Sequence, residues 1–228
     1  MNWDKRNVYD FDTRIHLLVR GPGIEAGSSF SDFPATNVDL APTILSMAGI
    51  DAHTDVSGID GQSFLPLLFS PAPPSPSSAA PPLPESAARY SLSHPRAAVK
   101  ASWRSHLFIE YYYVGIGGYC GMNSPIELSD NNFIAIRSLA NSSSGSGSAL
   151  NDTAALAAGP WGNILYAEFQ DGTDGNVDFA SPQHHELFDL DADPWQLKNI
   201  YDAAPQELKD ALHAQVQSWL ACKGGSCP

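Results

Sequence analysis

A proline-rich stretch at residues 71–88 constrains the fold of this chain more than any other feature. It holds seven of the 18 prolines in a sequence of 228 residues. Because proline lacks a backbone N–H and fixes φ, neither a helix nor a sheet ladder tolerates this density. We therefore predict a linker or exposed loop at 71–88, which separates an N-terminal part, 1–70, from a C-terminal part, 89–228.

The N-terminal part alternates strand and helix signals. The apolar run Ile15–Val19 ends at Arg20-Gly-Pro-Gly23 and predicts a buried strand. Asp39 is placed as an N-cap, and Gly49 is a natural stop for the helix between them. The apolar residues at helical spacing, which we expect to face the core, are Leu40, Ile44, Leu45 and Ala48. Strand, loop and helix in this order indicate an α/β body.

The C-terminal part predicts a small antiparallel sheet with one covering helix. Aromatic and β-branched runs separated by turn residues are typical of strands, and they occur at Ser105–Val114, Phe133–Leu139, Asn163–Phe169 and Glu186–Leu190. Pro205 opens a helix whose apolar face is formed by Leu208, Leu212, Val216 and Trp219 or Leu220. A second low-complexity stretch, 141–159, is predicted to be another loop.

Charge and hydropathy restrict the partners. The formal charge of −13 would repel nucleic acid and anionic membranes, so neither is expected as the main partner. No apolar run approaches the roughly 18 residues of a membrane span, and we expect none. The first ten residues contain no apolar segment of a signal peptide.

Three weak features nevertheless favour a secreted protein. Cys222 and Cys227 lie five residues apart around a flexible Gly-Gly, a spacing that a disulfide can close. Asn141 and Asn151 each begin a glycosylation sequon. Free thiols and chance sequons explain the same features. Cys120 is left over as an odd cysteine.

Motifs for nucleophilic or metal chemistry are otherwise scarce. His184 and His185 precede Glu186, but adjacent residues of a strand point to opposite faces, so we predict no metal site there. Asp189, Asp191 and Asp193 alternate without the bidentate Glu of a calcium loop. They are predicted to cap a turn before Pro194 instead.

Several segments together resemble the sulfatase family. Four of them, in family order, are Asp4–Asp12, Leu18–Gly23, Asn37–Leu45 followed by Ala48-Gly49, and Asp60–Leu68. The later segments are similar to the C-terminal subdomain of N-acetylglucosamine-6-sulfatases and their arylsulfatase relatives, namely Asn131–Arg137, Glu186–Asn199 and the Cys222–Cys227 pair. Only the two low-complexity stretches lack a counterpart.

The resemblance implies a fold and a parent activity. The fold expected is the α/β, alkaline-phosphatase-like sulfatase fold, present as a C-terminal fragment: 1–70 would end the catalytic domain, and 89–228 would form a small antiparallel-sheet α+β subdomain. Sulfatases hydrolyse sulfate esters with a formylglycine made from the Cys of a Cys-Xaa-Pro-Xaa-Arg motif, assisted by calcium. This chain contains neither that motif nor the family's metal ligands. We expect it to be inactive alone.

One functional position of the family falls on this chain. The Lys that contacts the sulfate of the substrate corresponds to Lys5, where a cation would stabilise charge on the sulfate oxygens. Without the resemblance, we would interpret Lys5 as an exposed lysine with no functional role. Arg6, Asp10 and Asp12 are further candidates for the same cleft.

The expected substrate of the parent enzyme is a sulfated carbohydrate or an aryl sulfate, and the expected location is secreted or lysosomal. An alternative is a non-catalytic carbohydrate-binding or structural fragment, which the missing nucleophile favours. A further possibility is that Met1 is an internal methionine of a longer reading frame.

Overall fold

A computed structural model describes residues 6–30, 33–52, 54–69, 84–112, 131–139, 161–172, 177–224 and 227. The chain forms two compact units. Unit 1 contains residues 1–15 and 106–220, and unit 2 contains residues 16–105 and 221–228. Residues 71–83 of the predicted linker lie outside the described residues, whereas residues 85–88 begin a helix.

Unit 1 is built on a four-stranded antiparallel sheet in the order β1-β2-β3-β4. Its strands are β1, His106–Tyr111; β2, Asn132–Ser138; β3, Ile164–Gln170; and β4, His184–Asp189. Each coincides closely with a predicted strand, so the predicted antiparallel sheet is confirmed. The runs of aromatic and β-branched residues between turn residues were sufficient, because such side chains pack well on a pleated, buried surface.

The C-terminal helix of unit 1 covers one face of the sheet. This helix, Gln206–Ala221, buries the predicted apolar positions Leu208, Leu212, Val216 and Trp219. Leu208, Leu212 and Val216 form one core with Ile134, Ile136, Tyr166 and Leu187 of the sheet. The opposite face holds a second core around Phe133, Ala135, Leu165 and Phe188, into which Val8 inserts.

The regular secondary structure described in unit 2 is helical. After a short 3₁₀ turn at Asn37–Asp39 come the helices Leu40–Met47, Leu65–Leu68, Glu85–Ser93 and Arg96–Ser102. Phe64, Leu67 and Leu68 form its small core, against which Phe33 and Trp103 are packed. None of the helices described in either unit combines the length and apolar character that crossing a bilayer requires.

A buried carboxylate joins three parts of unit 2. Asp39 is fully buried and accepts hydrogen bonds from Arg104 Nη1 at 2.9 and 2.8 Å. The backbone N–H groups of Thr36 and Gln62 also donate to it, at 2.9 and 2.8 Å. Gly61 must be glycine here, because a Cβ would lie 2.0 Å from the carbonyl oxygen of Val38. Asp39 occupies the predicted N-cap position of the following helix, but its side chain makes no capping bond to that helix.

Two sequence predictions were wrong: the buried strand at residues 15–19 and the choice of residues that the helix Leu40–Met47 buries. Residues 15–19 form no strand, and Leu17 and Leu18 are 52% and 93% exposed, since no described strand lies beside them. The helix Leu40–Met47 buries Pro42, Thr43 and Ser46 and leaves Ile44 63% exposed. The small polar side chains can be buried because the hydroxyls of Thr43 and Ser46 donate to backbone carbonyls of the preceding turn, at 2.7 and 2.8 Å.

Unit 1 also buries an acidic group between its sheet and its C-terminal helix. Glu168 is fully buried, and its Oε1 accepts a hydrogen bond from the Tyr166 hydroxyl at 2.7 Å and lies 2.8 Å from Nδ1 of His213. Its Oε2 has no hydrogen-bond partner among the described residues. Burial raises the pKa of Glu168 above its ordinary value of 4.5, although the contacts with Tyr166 and His213 oppose that shift.

Glu168 should therefore make stability depend on pH. A raised pKa means that the folded chain binds more protons than the unfolded chain. The favourable contribution is then complete below the ordinary value of 4.5 and is lost as pH rises through the folded pKa. Glu168→Gln should flatten this decline, measured as the urea midpoint of unfolding against pH. Glu110→Gln, at an exposed position of the same sheet, is the control. An unchanged pH profile in Glu168→Gln would contradict the assignment.

Candidate functional site

The candidate site is built around residues 6–13, which we call the N-terminal segment. Lys5 itself lies outside the described residues, and Arg6 is its immediate neighbour. Asp12 closes the segment on itself, since its Oδ2 accepts hydrogen bonds from the backbone N–H groups of Arg6 and Asn7 at 3.3 and 3.0 Å. The Asn7 side chain donates to the same oxygen at 2.8 Å. One short helical turn, Asp10–Thr13, ends the segment.

Apolar contacts fix the middle of the N-terminal segment on the sheet. Val8 is 1% exposed and lies in the core of Phe133, Ala135, Leu165, Ala167 and Phe188. Beside it, the ring of Tyr9 meets Phe188 edge-on with centroids 5.9 Å apart. The segment therefore supplies part of the cover that the second face of the sheet needs.

Three polar side chains of unit 1 bind the segment at Arg6 and at Asp10, and we call them the clamp: Asn131, Arg137 and Gln196. Arg137 forms a two-point ion pair with Asp10, with Nε–Oδ1 and Nη2–Oδ2 distances of 2.9 and 3.2 Å. The Arg137 and Asp10 side chains are only 11% and 18% exposed. The backbone N–H of Asp10 donates to Gln196 Oε1 at 2.8 Å, and Asn131 Nδ2 donates to the carbonyl of Arg6 at 3.1 Å.

The turn after β4 places Gln196. Asp189 accepts hydrogen bonds from the N–H groups of Asp191 and Ala192, and Asp193 accepts from Leu197 and Lys198 at 2.7 and 2.8 Å. The prediction that these aspartates cap a turn is thereby confirmed for Asp189 and Asp193, whereas the Asp191 side chain accepts a hydrogen bond from Asn163 Nδ2 at 2.8 Å instead. Within the turn Gln196 has φ of 57°, a left-handed conformation that is uncommon for a non-glycine residue.

Tyr9 makes the remaining polar contact of the segment. Its hydroxyl donates to Glu186 Oε1 at 3.2 Å. Burial, followed by the charge of Glu186, raises the pKa of Tyr9 to about 12. Tyr9 therefore keeps its proton at neutral pH and acts as a hydrogen-bond donor, not as a base.

The geometry offers no metal site in the described part of the chain, where no three His, Cys, Asp or Glu side chains are grouped closely enough to hold an ion. His184 and His185 lie on opposite faces of β4: His184 is near Phe169, whereas His185 stacks on Tyr201 with ring centroids 4.5 Å apart. Burial lowers the pKa of His185.

The other predicted sites have different outcomes. Asn141, Asn151 and Cys120 lie outside the described residues. Cys222 and Cys227 form a disulfide in the structure, with their Cα atoms 5.0 Å apart.

The sequence alone did not predict the clamp. Its residues fall inside or beside the motifs Asn131–Arg137 and Glu186–Asn199, so those motifs were the available signal. The pairing of these residues with Asp10 could not be predicted from the sequence, because Asp10 lies 127 positions from Arg137 and 186 from Gln196.

Comparisons with known proteins agree with the motifs. Residues 1–75 match a family described as N-sulphoglucosamine sulphohydrolase, C-terminal. Human N-acetylglucosamine-6-sulfatase is 28% identical over 98% of this chain and 33% of its own length. An arylsulfatase of Volvox carteri is 27% identical over 98% of this chain and 27% of its own length. The chain thus spans about a third of the first of these relatives.

One solved structure also aligns. It shows BT4656 in complex with its substrate D-glucosamine-2-N,6-O-disulfate, at 20% identity and a TM-score of 0.43. The alignment covers 86% of this chain and 25% of that one.

The disulfide can be tested in protein made through a secretory route. Peptide mapping without reduction should recover Cys222 and Cys227 in one linked peptide, because the short loop between them contains a flexible Gly-Gly. In a Cys227→Ser control, Cys222 should become available to an alkylating reagent. Two separately alkylated thiols in folded wild-type protein would contradict the pairing.

Proposed function

We propose that this chain, which resembles the C-terminal part of a sulfatase, contributes the sulfate-contacting Lys5 to an enzyme that hydrolyses sulfate esters. The substrate class we propose is a sulfated carbohydrate, with aryl sulfates as simple analogues. This follows the names of the relatives that cover the chain, an N-acetylglucosamine-6-sulfatase and an arylsulfatase.

One observation carries this proposal: the segment that follows Lys5 is fixed on the sheet by both apolar and charged contacts. Val8 is buried, and Asp10 is paired with Arg137. The same segment falls within residues 1–75, where the family match lies. A lysine next to a fixed segment can present its ammonium group to a sulfate oxygen repeatedly in the same place, which is what stabilisation of developing charge requires.

The reaction needs a nucleophile that this chain does not supply. Its three cysteines are Cys120, Cys222 and Cys227, and none begins a Cys-Xaa-Pro-Xaa-Arg motif. In the family calcium neutralises sulfate oxygens, and the described residues offer no group that fits it. We therefore assign to this chain only the orientation of the sulfate, and expect no hydrolysis by the chain alone.

The fold of the parent enzyme is part of the same proposal. Residues 1–70 would form the end of an alkaline-phosphatase-like α/β domain, and residues 89–228 would form the C-terminal subdomain. Residues 71–88 would be the linker or loop between the two. The exposed apolar side chains of Leu18 and Ile44 support this, since a longer protein would bury them. The Cys222–Cys227 disulfide, with the sequons at Asn141 and Asn151, supports a secreted or lysosomal location.

A second candidate function is carbohydrate binding without catalysis. Trp195 and Leu197 are 78% and 84% exposed on the turn after β4. An exposed aromatic ring on a hydrogen-bonded turn offers an apolar face to the C–H groups of a sugar. Loss of binding to a sulfated glycan in Trp195→Ala, without any effect of Lys5→Ala, would favour this alternative.

The test of the main proposal is Lys5→Ala in a reconstituted protein that has the cysteine motif and metal ligands upstream of this chain. Turnover of 4-nitrophenyl sulfate should fall by about 100-fold, the typical effect of removing one group that stabilises transition-state charge. Thermal unfolding should change little, because the partner proposed for the Lys5 ammonium is the substrate and not a group of the protein. Lys198→Ala, at an exposed lysine, is the matched control. The 228-residue chain alone should show no turnover. Wild-type turnover in Lys5→Ala would refute the role of Lys5.

A further inference from the structure

We propose that the carboxyl group of Glu168 is a proton switch for the attachment of the C-terminal helix to the sheet, and that its contact with His213 sets the pH range in which the switch works. The helix is held most tightly in acid and less tightly as the pH rises toward neutrality. Glu168 and His213 both lie in unit 1, and the inference does not depend on the proposed activity.

Glu168 lies where the sheet meets the helix. Its side chain on β3 is fully buried, whereas the side chain of His213 on the helix is 40% exposed. Nδ1 of His213 lies 2.8 Å from Oε1 of Glu168, a hydrogen-bonding distance between residues 45 positions apart. One member of the pair is therefore shut off from water while the other reaches it, so a proton can enter and leave through the imidazole.

The pair holds one proton without carrying a net charge. It can be a carboxylate beside an imidazolium or a carboxylic acid beside a neutral imidazole, and the hydrogen bond between Oε1 and Nδ1 exists in both forms. When that proton leaves, a negative charge remains on the carboxyl group of Glu168, which has no access to water. Such a charge destabilises a folded chain unless hydrogen bonds compensate it.

The contacts of the carboxyl group compensate this charge unevenly. Oε1 accepts a hydrogen bond from the Tyr166 hydroxyl at 2.7 Å and lies beside His213, whereas Oε2 is buried with no partner among the described residues. Burial raises the pKa of Tyr166 above its ordinary value, so its hydroxyl remains a donor. Burial also raises the pKa of Glu168, and the contacts with Tyr166 and His213 oppose that shift without cancelling it. The charged form of Glu168 is therefore less favourable in the folded chain than in the unfolded chain.

Other ionisable groups surround Glu168 on the neighbouring elements. His185 of β4 is its register partner, and burial lowers the pKa of His185, which favours the neutral imidazole. Tyr201 stacks on His185, and the ammonium of Lys209 on the helix lies 4.7 Å from the centre of the Tyr201 ring. On the side of β2 the register partner is the apolar Ile134. The remaining charged groups near this cluster are acidic: Glu110, Asp202 and Asp210. Among the described residues, Tyr166 and His213 are thus the groups that bind the carboxyl of Glu168.

The direction of the pH effect follows from the raised pKa of Glu168. The folded chain keeps a proton that the unfolded chain gives up, so the contribution to stability is complete below the ordinary value of 4.5 and is lost as the pH rises through the folded pKa. The apolar contacts of Leu208, Leu212 and Val216 do not titrate, and they hold the helix at every pH. Of the secreted and lysosomal locations, the acidic lysosome is the one in which both kinds of contact hold the helix.

Hydrogen exchange of the helix tests the switch in the 228-residue chain. Protection is the exchange rate of an unstructured peptide at the same pH divided by the measured rate. The amides of Leu212 and Val216 should lose protection by up to about tenfold for each pH unit between 4.5 and the folded pKa of Glu168, and should lose no more above it. Glu168→Gln should remove most of this dependence, because an amide does not titrate. Constant protection in the wild type, or an equal decline in Glu168→Gln, would overturn the proposal.

A second variant tests the role of His213. His213→Leu removes the hydrogen bond and the charge while keeping a good helix former. Because the contact with His213 lowers the pKa of Glu168, its loss should extend the decline in protection by about one pH unit toward neutral pH, the size expected from losing one hydrogen bond to a charged group. His184→Leu, which removes a 60% exposed imidazole from β4, is the control and should keep the wild-type curve. A decline that ends at the wild-type pH in His213→Leu would overturn the assignment of His213.

Discussion

The sheet of unit 1 is apolar on both faces, and this constraint determines how the rest of the unit is arranged. β2 and β3 are buried along almost their whole length. A sheet of this kind needs a cover on each side. The C-terminal helix covers one face with Leu208, Leu212 and Val216, and the N-terminal segment contributes Val8 to the other. A segment at the N-terminal end of the chain is thereby drawn into a core whose other members lie more than 120 positions away in sequence.

The elements predicted correctly are those whose signal is local. Aromatic and β-branched runs between turn residues located four strands, and apolar residues at helical spacing located Gln206–Ala221, because each of these patterns lies within one element. The failures have two causes, one long-range and one local. Ile15–Val19 has the composition of a buried strand but no described neighbour, and the helix at Leu40–Met47 buries Thr43 and Ser46, whose polarity is hidden by bonds within the helix. Local composition cannot reveal either outcome.

The candidate site shows the same limit more sharply. Lys5 was identified only through resemblance, since an isolated lysine carries no pattern of its own. Arg137 and Gln196 lie in motifs that the resemblance did indicate. Both bind Asp10, which is more than 120 positions away from either, and the sequence does not reveal that contact. Under the proposed function the net charge of −13 gives this pairing physical meaning, because a chain that repels anions over long distances would have to attract sulfate through local cations and neutralised carboxylates.

Hydrogen exchange at the amide of Asp10 tests most directly whether the N-terminal segment belongs to the sheet domain. In the structure this N–H donates to Gln196, whose backbone N–H in turn donates to the carbonyl of Asp193. We predict that the Asp10 amide of the 228-residue chain exchanges as slowly as amides of β3 such as that of Tyr166, because all of them open only when the sheet domain unfolds. Exchange of Asp10 at the rate of an unstructured peptide, while Tyr166 stays protected, would contradict this placement of the segment.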